Sequence, residues 1–301
     1  MRNAFAQTII NEFSGRSDCF FLTGDLGFMA LEEVRAAMGE RFVNCGVAEQ
    51  NMIGVAAGLA REGMRVFAYS IAPFCYARPF EQIRNDLAFG KLPVCLIGNG
   101  GGYGYGHMGP THHALEDCAA MNALNVHCLI PAFDADIAPQ LTARRDGPVY
   151  LRLGYETKPK DAAIPPYAPW RCVLTGESGI MAALGPLAGL AWNTLLEIPA
   201  EKRPAVWAVT ELPLAPLPKA FCAAIEAGKP LFIIEEHVRQ GGLAMQLLYA
   251  LSMAGLYPTS VVHRHALGYP SGRYGSQAFH RRECGLDAES LKNLVFQSTR
   301  Q

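Results

Sequence analysis

One carboxylate, Glu49, stands where an apolar run gives way to a helix rich in small residues, in the stretch Asn44–Ala60, NCGVAEQNMIGVAAGLA. Gly54, Ala56, Ala57 and Gly58 would let another backbone approach that helix closely, which places the carboxylate in a tight interface rather than in open water. A buried carboxyl held partly neutral can donate a proton to a ring nitrogen, which is general acid–base chemistry. The structural alternative is an ordinary first-turn acid favoured by the helix macrodipole. Further along, His112 and His113 follow Gly109-Pro110-Thr111. An imidazole at His112 can donate to a carbonyl or hydroxyl oxygen and shuttle a proton, while His113 is either a second contact or a structural neighbour. The glycine-rich run Gly98–Gly109 contains a formal GxGxxG at Gly104–Gly109. It leads into Pro110-Thr111-His112 instead of opening a helix directly after a strand, so it reads as an active-site loop and not as a dinucleotide fingerprint.

The elements that must hold these groups are short apolar runs alternating with helical stretches. Cys19–Leu22, Arg41–Val47, Val66–Ser70, Val94–Gly98, Val126–Pro131 and Val149–Leu153 predict a doubly wound parallel α/β sheet. Thr157 to Pro169, TKPKDAAIPPYAP, breaks the pattern as a linker would. Runs at Gly179–Leu184, Ala205–Leu212, Leu231–Glu235 and Ser260–Val262 predict a second α/β domain ending in a helix from Asp287 to about Phe296. The division is 1–158, a linker at 159–170, and 171–301. The N-terminal stretch spaces Phe5, Ile9, Ile10 and Phe13 as one helical face and lacks the apolar core of a signal peptide.

Composition narrows the function classes. The chain has 301 residues, 50% of them hydrophobic, with a net charge of −1, so neither a nucleic-acid binder nor a membrane-surface binder is expected. No apolar run is long enough to span a bilayer. Nine cysteines without a CxxC pair read as reduced core thiols, which points to the cytoplasm and away from a disulfide framework or a zinc site.

The string Gly46-Val47-Ala48-Glu49-Gln50-Asn51-Met52 resembles the signature of the pyrimidine-binding domain of the transketolase family, which uses thiamine diphosphate. Three more matches follow in the family's order: PFCYARPFEQIRND ending at Asp86, then Gly109-Pro110-Thr111-His112-His113 with Glu116-Asp117, then a C-terminal set. That set comprises Glu235-Glu236-His237 with Gly241-Gly242-Leu243, Gly275-Ser276-Gln277 and Gly285-Leu286-Asp287. Ordered motifs over nearly the whole chain carry more weight than any one of them. The resemblance implies that Glu49 hydrogen-bonds the aminopyrimidine ring and starts proton removal from the thiazolium, and that His112 faces the substrate. It also implies an aromatic wall for the ring, for which Phe74 is the candidate; Tyr76 and Phe80 lie nearby, with core packing as their alternative. Asp25, in Thr23-Gly24-Asp25-Leu26, resembles the family's acidic residue near the cofactor, with a turn or cap role as its alternative.

Departures from the family pattern refine the reading. Full-length members carry a Gly-Asp-Gly motif and a downstream Asn that hold magnesium and the diphosphate, and this chain has no Gly-Asp-Gly. It therefore resembles the beta, or C-terminal, subunit of a split transketolase, with the magnesium ligands on an N-terminal partner subunit in an alpha2beta2 heterotetramer. Met108 stands where the family commonly has an Asp that reads a sugar hydroxyl. Counted from Gly147-Pro148, the phosphate-reading Arg falls on Tyr155, and the nearby Arg152 is either a substitute or a structural residue. The implied activity is transfer of a two-carbon ketol unit between sugar substrates. The alternatives are the beta subunit of a 2-oxo acid dehydrogenase first component, against which Gly-Pro-Thr-His-His argues, a non-catalytic assembly subunit, and, more distantly, a nicotinamide oxidoreductase.

Overall fold

The computed structural model describes residues 1–27, 30–143 and 145–298. The first six apolar runs become strands: β1 (Cys19–Thr23), β2 (Phe42–Asn44), β3 (Arg65–Ile71), β4 (Val94–Asn99), β5 (His127–Leu129) and β6 (Val149–Leu153). They lie parallel in the spatial order β5-β6-β4-β3-β1-β2. Their carboxyl ends are level, because Thr23 pairs with both Asn44 and Tyr69, and Asn99 pairs with both Ile71 and Leu153. The loops that leave these ends therefore share one edge of the sheet.

The second half adds β7 (Trp170–Leu174), β8 (Ile180–Leu184), β9 (Ala205–Val209), β10 (Glu211–Leu212), β11 (Leu231–Glu235) and β12 (Val261–His265). Five of these form a sheet in the order β12-β11-β8-β9-β7, parallel except where β7 runs against β9. Every residue of β8 and β11 is buried, which suits strands covered on both faces. The apolar run Ala205–Leu212 is not one strand. It breaks at Thr210, and β10 crosses to the first sheet to pair antiparallel with β5. β7 begins inside the segment read as linker, at Trp170. The terminal helix spans Ala288–Ser298.

Helices fill both faces of the first sheet. Phe5, Ile9 and Phe13 of helix Arg2–Phe13 are buried among Phe21, Phe67 and Tyr69. Helix Glu49–Arg61 buries Met52, Ile53, Ala56, Ala57 and Ala60 against Leu22, Val66 and Ala68 on the other face. That apolar cluster continues without a break into β8 and β11 through Leu212 and Leu184. The expected close backbone approach at Gly54 and Gly58 does not occur within the chain: a Cβ at either would meet open space, since these two lie on the helix's outer face while Ala56 and Ala57 face the core. All nine cysteines are free thiols, buried or half-buried. Among the described residues, no helix is long and apolar enough to cross a membrane.

Candidate active site

β1 connects outward to β2 while its neighbour β3 connects the other way to β4, so a crevice opens between the carboxyl ends of β1 and β3. Asp25 and Glu49 converge there. Asp25 takes a positive φ of 57° in the turn after β1, and a reciprocal pair of bonds with Asn44 holds it: Asp25 N–H to Asn44 Oδ1 at 3.1 Å and Asn44 Nδ2 to Asp25 Oδ1 at 2.8 Å. Aspartate tolerates this left-handed backbone better than most residues. Glu49 opens the helix after β2 and is only 4% exposed. A Cβ on Gly24 would lie 3.5 Å from Glu49 Cγ, so the turn carrying Asp25 walls one side of the carboxylate.

The loop after β3 supplies the opposite wall. Phe74 lies in the short helix Ala72–Tyr76, and Arg78 follows it by four residues. The Arg78 guanidinium carbon sits 3.7 Å from the Phe74 ring centroid, and Nη1 donates to Glu49 Oε1 at 3.0 Å. Among the described residues Arg78 is the one hydrogen-bond partner of the Glu49 side chain. His112 meets Phe74 edge-on, with ring centroids 5.1 Å apart. Its Nδ1 bonds Thr111 Oγ1 at 2.9 Å, and its Nε2 has no partner among the described residues. The structure thus brings Glu49, Phe74 and His112 together and adds Arg78, which sequence reasoning passed over. The Phe74–Arg78 spacing on a helical turn was the available signal.

Several candidates turn out to support the site instead of lining it. Tyr76 is buried, and its hydroxyl donates to Glu116 Oε1 at 2.7 Å, so it does not offer a ring face to a cofactor. Burial, Asp117 and Glu116 all push its phenol upward. His113 is buried and has both nitrogens taken: Nε2–H donates to the Gly106 carbonyl at 2.8 Å, and Nδ1 accepts from Tyr269 Oη at 2.8 Å. It braces the loop and leaves no nitrogen for substrate. Burial lowers its pKa, in keeping with this neutral tautomer. Arg152 is likewise internal. Nε binds Asp117 Oδ2 at 2.8 Å, and Nη2 binds the carbonyls of Ala114 at 2.8 Å and Glu236 at 2.9 Å, which uses the fork on protein groups and corrects its assignment to substrate. Met108 and Tyr155 remain open to solvent at 56% and 57% exposure.

The C-terminal motifs hold the loop from the other sheet. Glu236, at the end of β11, accepts from the Tyr103 backbone N–H at 2.7 Å and Gln277 Nε2 at 2.8 Å, and pairs with Arg281. Gly102 has a φ of +65°, and a Cβ there would lie 2.4 Å from Glu236 Oε1, so the close approach requires glycine. Glu235 caps helix Leu243–Met253 by accepting from the N–H groups of Leu243 at 2.6 Å and Ala244 at 3.1 Å. The glycine loop folds through successive tight turns, with Gly104 N–H donating to the Gly101 carbonyl, Gly106 N–H to that of Tyr103 and Gly109 N–H to that of Gly106, and no α-helix opens on it. Its Tyr103 N–H is turned inward to Glu236.

One trio outside the crevice has the residue types of a metal site: the ligand atoms of Asp117, Cys118 and His237 lie within 4.8 Å of one another. Arg152 binds Asp117, while His237 accepts from Ala119 N–H at 3.2 Å and donates to the Val238 carbonyl at 2.7 Å. A guanidinium beside the carboxylate and an occupied imidazole make this a tie between the two halves of the chain.

Residues 1–157 match the family described as transketolase, pyrimidine binding domain, a span that contains every strand and loop of the crevice. The chain belongs to the transketolase pyrimidine-binding family. One of the named subunits of apulose-4-phosphate transketolase, from Actinobacillus succinogenes, is 29% identical over 274 residues, covering 85% of this chain and 84% of that protein. The protein of the same name from Phocaeicola vulgatus is 33% identical over 162 residues, 52% of each, so that match spans about half the relative's length. A solved structure described as "Split gene transketolase, inactive beta4 tetramer" superposes with a TM-score of 0.81 at 28% identity, covering 99% of this chain and 97% of that one. The two-sheet architecture is therefore a transketolase-family one from end to end.

Proposed function

We propose that this chain is the beta subunit of a split, thiamine-diphosphate-dependent transketolase-like enzyme that moves a two-carbon ketol unit from a ketose to an aldehyde. The observation that carries the proposal is the convergence of a buried carboxylate, Glu49, an aromatic face, Phe74, and an imidazole with one free nitrogen, His112, at the switch point of the sheet. Once Arg78 withdraws, these residues would fit an aminopyrimidine, whose flat ring would stack on Phe74 and whose ring nitrogen would meet the Glu49 carboxyl. Thiamine diphosphate held there by Glu49 and Phe74 would supply a nucleophilic carbon and a sink for the electron pair released on carbon–carbon cleavage.

The chain's own residues do the rest. Glu49 holds and passes the proton that activates the cofactor ring. His112 Nε2 donates to the substrate oxygen, with Thr111 fixing the ring, and His113 braces the loop without touching substrate. Asp25 closes the crevice beside Glu49. Magnesium and the diphosphate are assigned to an alpha partner carrying Gly-Asp-Gly, in an alpha2beta2 assembly, a reading supported by the lack of that motif in this sequence. The exposed Gly54 and Gly58 face suits that contact between subunits. The pyrimidine-binding domain comprises 1–158 and the C-terminal domain 171–301. Nine free thiols support a cytoplasmic setting, and ketol transfer between sugars would be a role in carbohydrate metabolism.

The test is reconstitution. This chain alone should turn over nothing, and mixing it with the Gly-Asp-Gly partner, magnesium and thiamine diphosphate should yield ketol transfer. Full turnover without a partner contradicts the split-enzyme reading, and decarboxylation of pyruvate-type acids in place of ketol transfer would favour the 2-oxo acid dehydrogenase plan.

A further inference from the structure

We propose that Arg78 is an internal occupant of the ring half-site, a guanidinium that an incoming aminopyrimidine displaces from both Glu49 and Phe74. The inference rests on the cofactor reading given above. Arg78 makes two contacts in the crevice, the 3.0 Å bond to Glu49 Oε1 and the stack 3.7 Å from the Phe74 ring centroid. Those are the same two contacts that a planar aminopyrimidine needs. A guanidinium can imitate such a ring because it is flat, carries its donors in its plane and stacks on aromatic faces.

The exposures of the two partners show why exchange is feasible. Glu49 is 4% exposed, so its carboxylate would stand buried and unpaired if nothing met it. Arg78 is 46% exposed and makes no other hydrogen bond among the described residues, so its charge passes into water when it lets go. A subunit that meets its cofactor only on assembly thereby keeps the acid paired beforehand. The thermodynamic consequence is competition: apparent cofactor affinity is reduced by the fraction of molecules in which the arginine is away.

The experiment is calorimetric titration of thiamine diphosphate, with magnesium, into the complex of this chain and its diphosphate-binding partner. Arg78→Ala should tighten the apparent Kd about tenfold. Arg78→Lys should fall between, since an ammonium keeps the ion pair and loses the planar stack. A second readout needs no partner. Arg78→Ala should lower the melting temperature of the free chain, where Glu49 is left bare, and should not lower that of the cofactor-loaded complex. An unchanged or weakened Kd in Arg78→Ala, or an equal melting loss in both states, overturns the displacement while leaving the cofactor site intact. Absence of cofactor binding by the wild-type complex overturns the site reading itself.

Discussion

Tyr103 and Glu236 join the two sheets directly: the Tyr103 backbone N–H, in the loop after β4, donates to Glu236 Oε1 at the end of β11, 2.7 Å away and shielded from water. Arg281 and Gln277 complete the carboxylate's shell. Glu236→Ala would strip the half-buried Arg281 guanidinium of its counter-charge and orphan the buried Tyr103 backbone donor. Orphaning a buried donor costs about 1–3 kcal/mol, so the urea midpoint should fall. Glu236→Gln, which keeps an acceptor for Tyr103, should fall between. A loss within about 0.5 kcal/mol for the alanine variant, the range of an ordinary surface change, would contradict this role.

Acid should loosen the same junction in two stages. Burial lowers the pKa of His113, His237 and His280 below the usual 6.5, so at mildly acidic pH the unfolded chain binds more protons than the folded one. Stability contributed by their neutral forms is full above about 6.5 and declines as pH falls below it. For Glu236, burial pushes the carboxyl up, but Arg281, Gln277 and the Tyr103 N–H outweigh it and leave it below the usual 4.5. Its share is present above that value and is lost as pH falls through the lowered one. Melting temperature measured from pH 7.5 to 4 should therefore decline first below about 6.5. A profile flat between 7 and 5 would show that these histidines do not titrate with folding.

Much of this arrangement was legible in the sequence, and the limits have physical causes. A parallel sheet covered on both faces writes itself as continuous apolar runs, which is why β1 to β6 were readable from the order of those runs along the chain. Glu49, Phe74 and His112 came from motif order. Arg78 did not, because an arginine in a loop reads by default as solvated, and its partner lies 29 residues away. The roles of His113 and Arg152 depend on Tyr269 and Glu236, contacts from the other half of the chain that no local spacing encodes. β10 is two residues long and edge-paired, too short to carry a period of its own.

If Met108 and Tyr155 stand where the family resemblance implies a sugar hydroxyl and a phosphate are read, specificity should follow from them, both being exposed and uncharged. A thioether and a phenol leave a terminal phosphate without a guanidinium partner. The reconstituted enzyme should prefer substrates lacking the usual terminal phosphate, or carrying it at another distance, and Tyr155→Arg should raise kcat/KM for standard pentose and hexose phosphates. Matched phosphorylated and unphosphorylated substrates, assayed before and after Tyr155→Arg and Met108→Asp, decide it. Strong wild-type preference for the phosphorylated members, unmoved by either change, would show that these positions do not read substrate.

Whether Glu49 passes the proton that activates the cofactor is read from the ketol-transfer kcat of Glu49→Gln in the assembled complex. General acid–base groups contribute about 10²–10⁴-fold, so the variant should fold, assemble and lose activity within that range. A loss of less than about tenfold, below the usual acid–base contribution, would make Glu49 a structural residue and contradict the account.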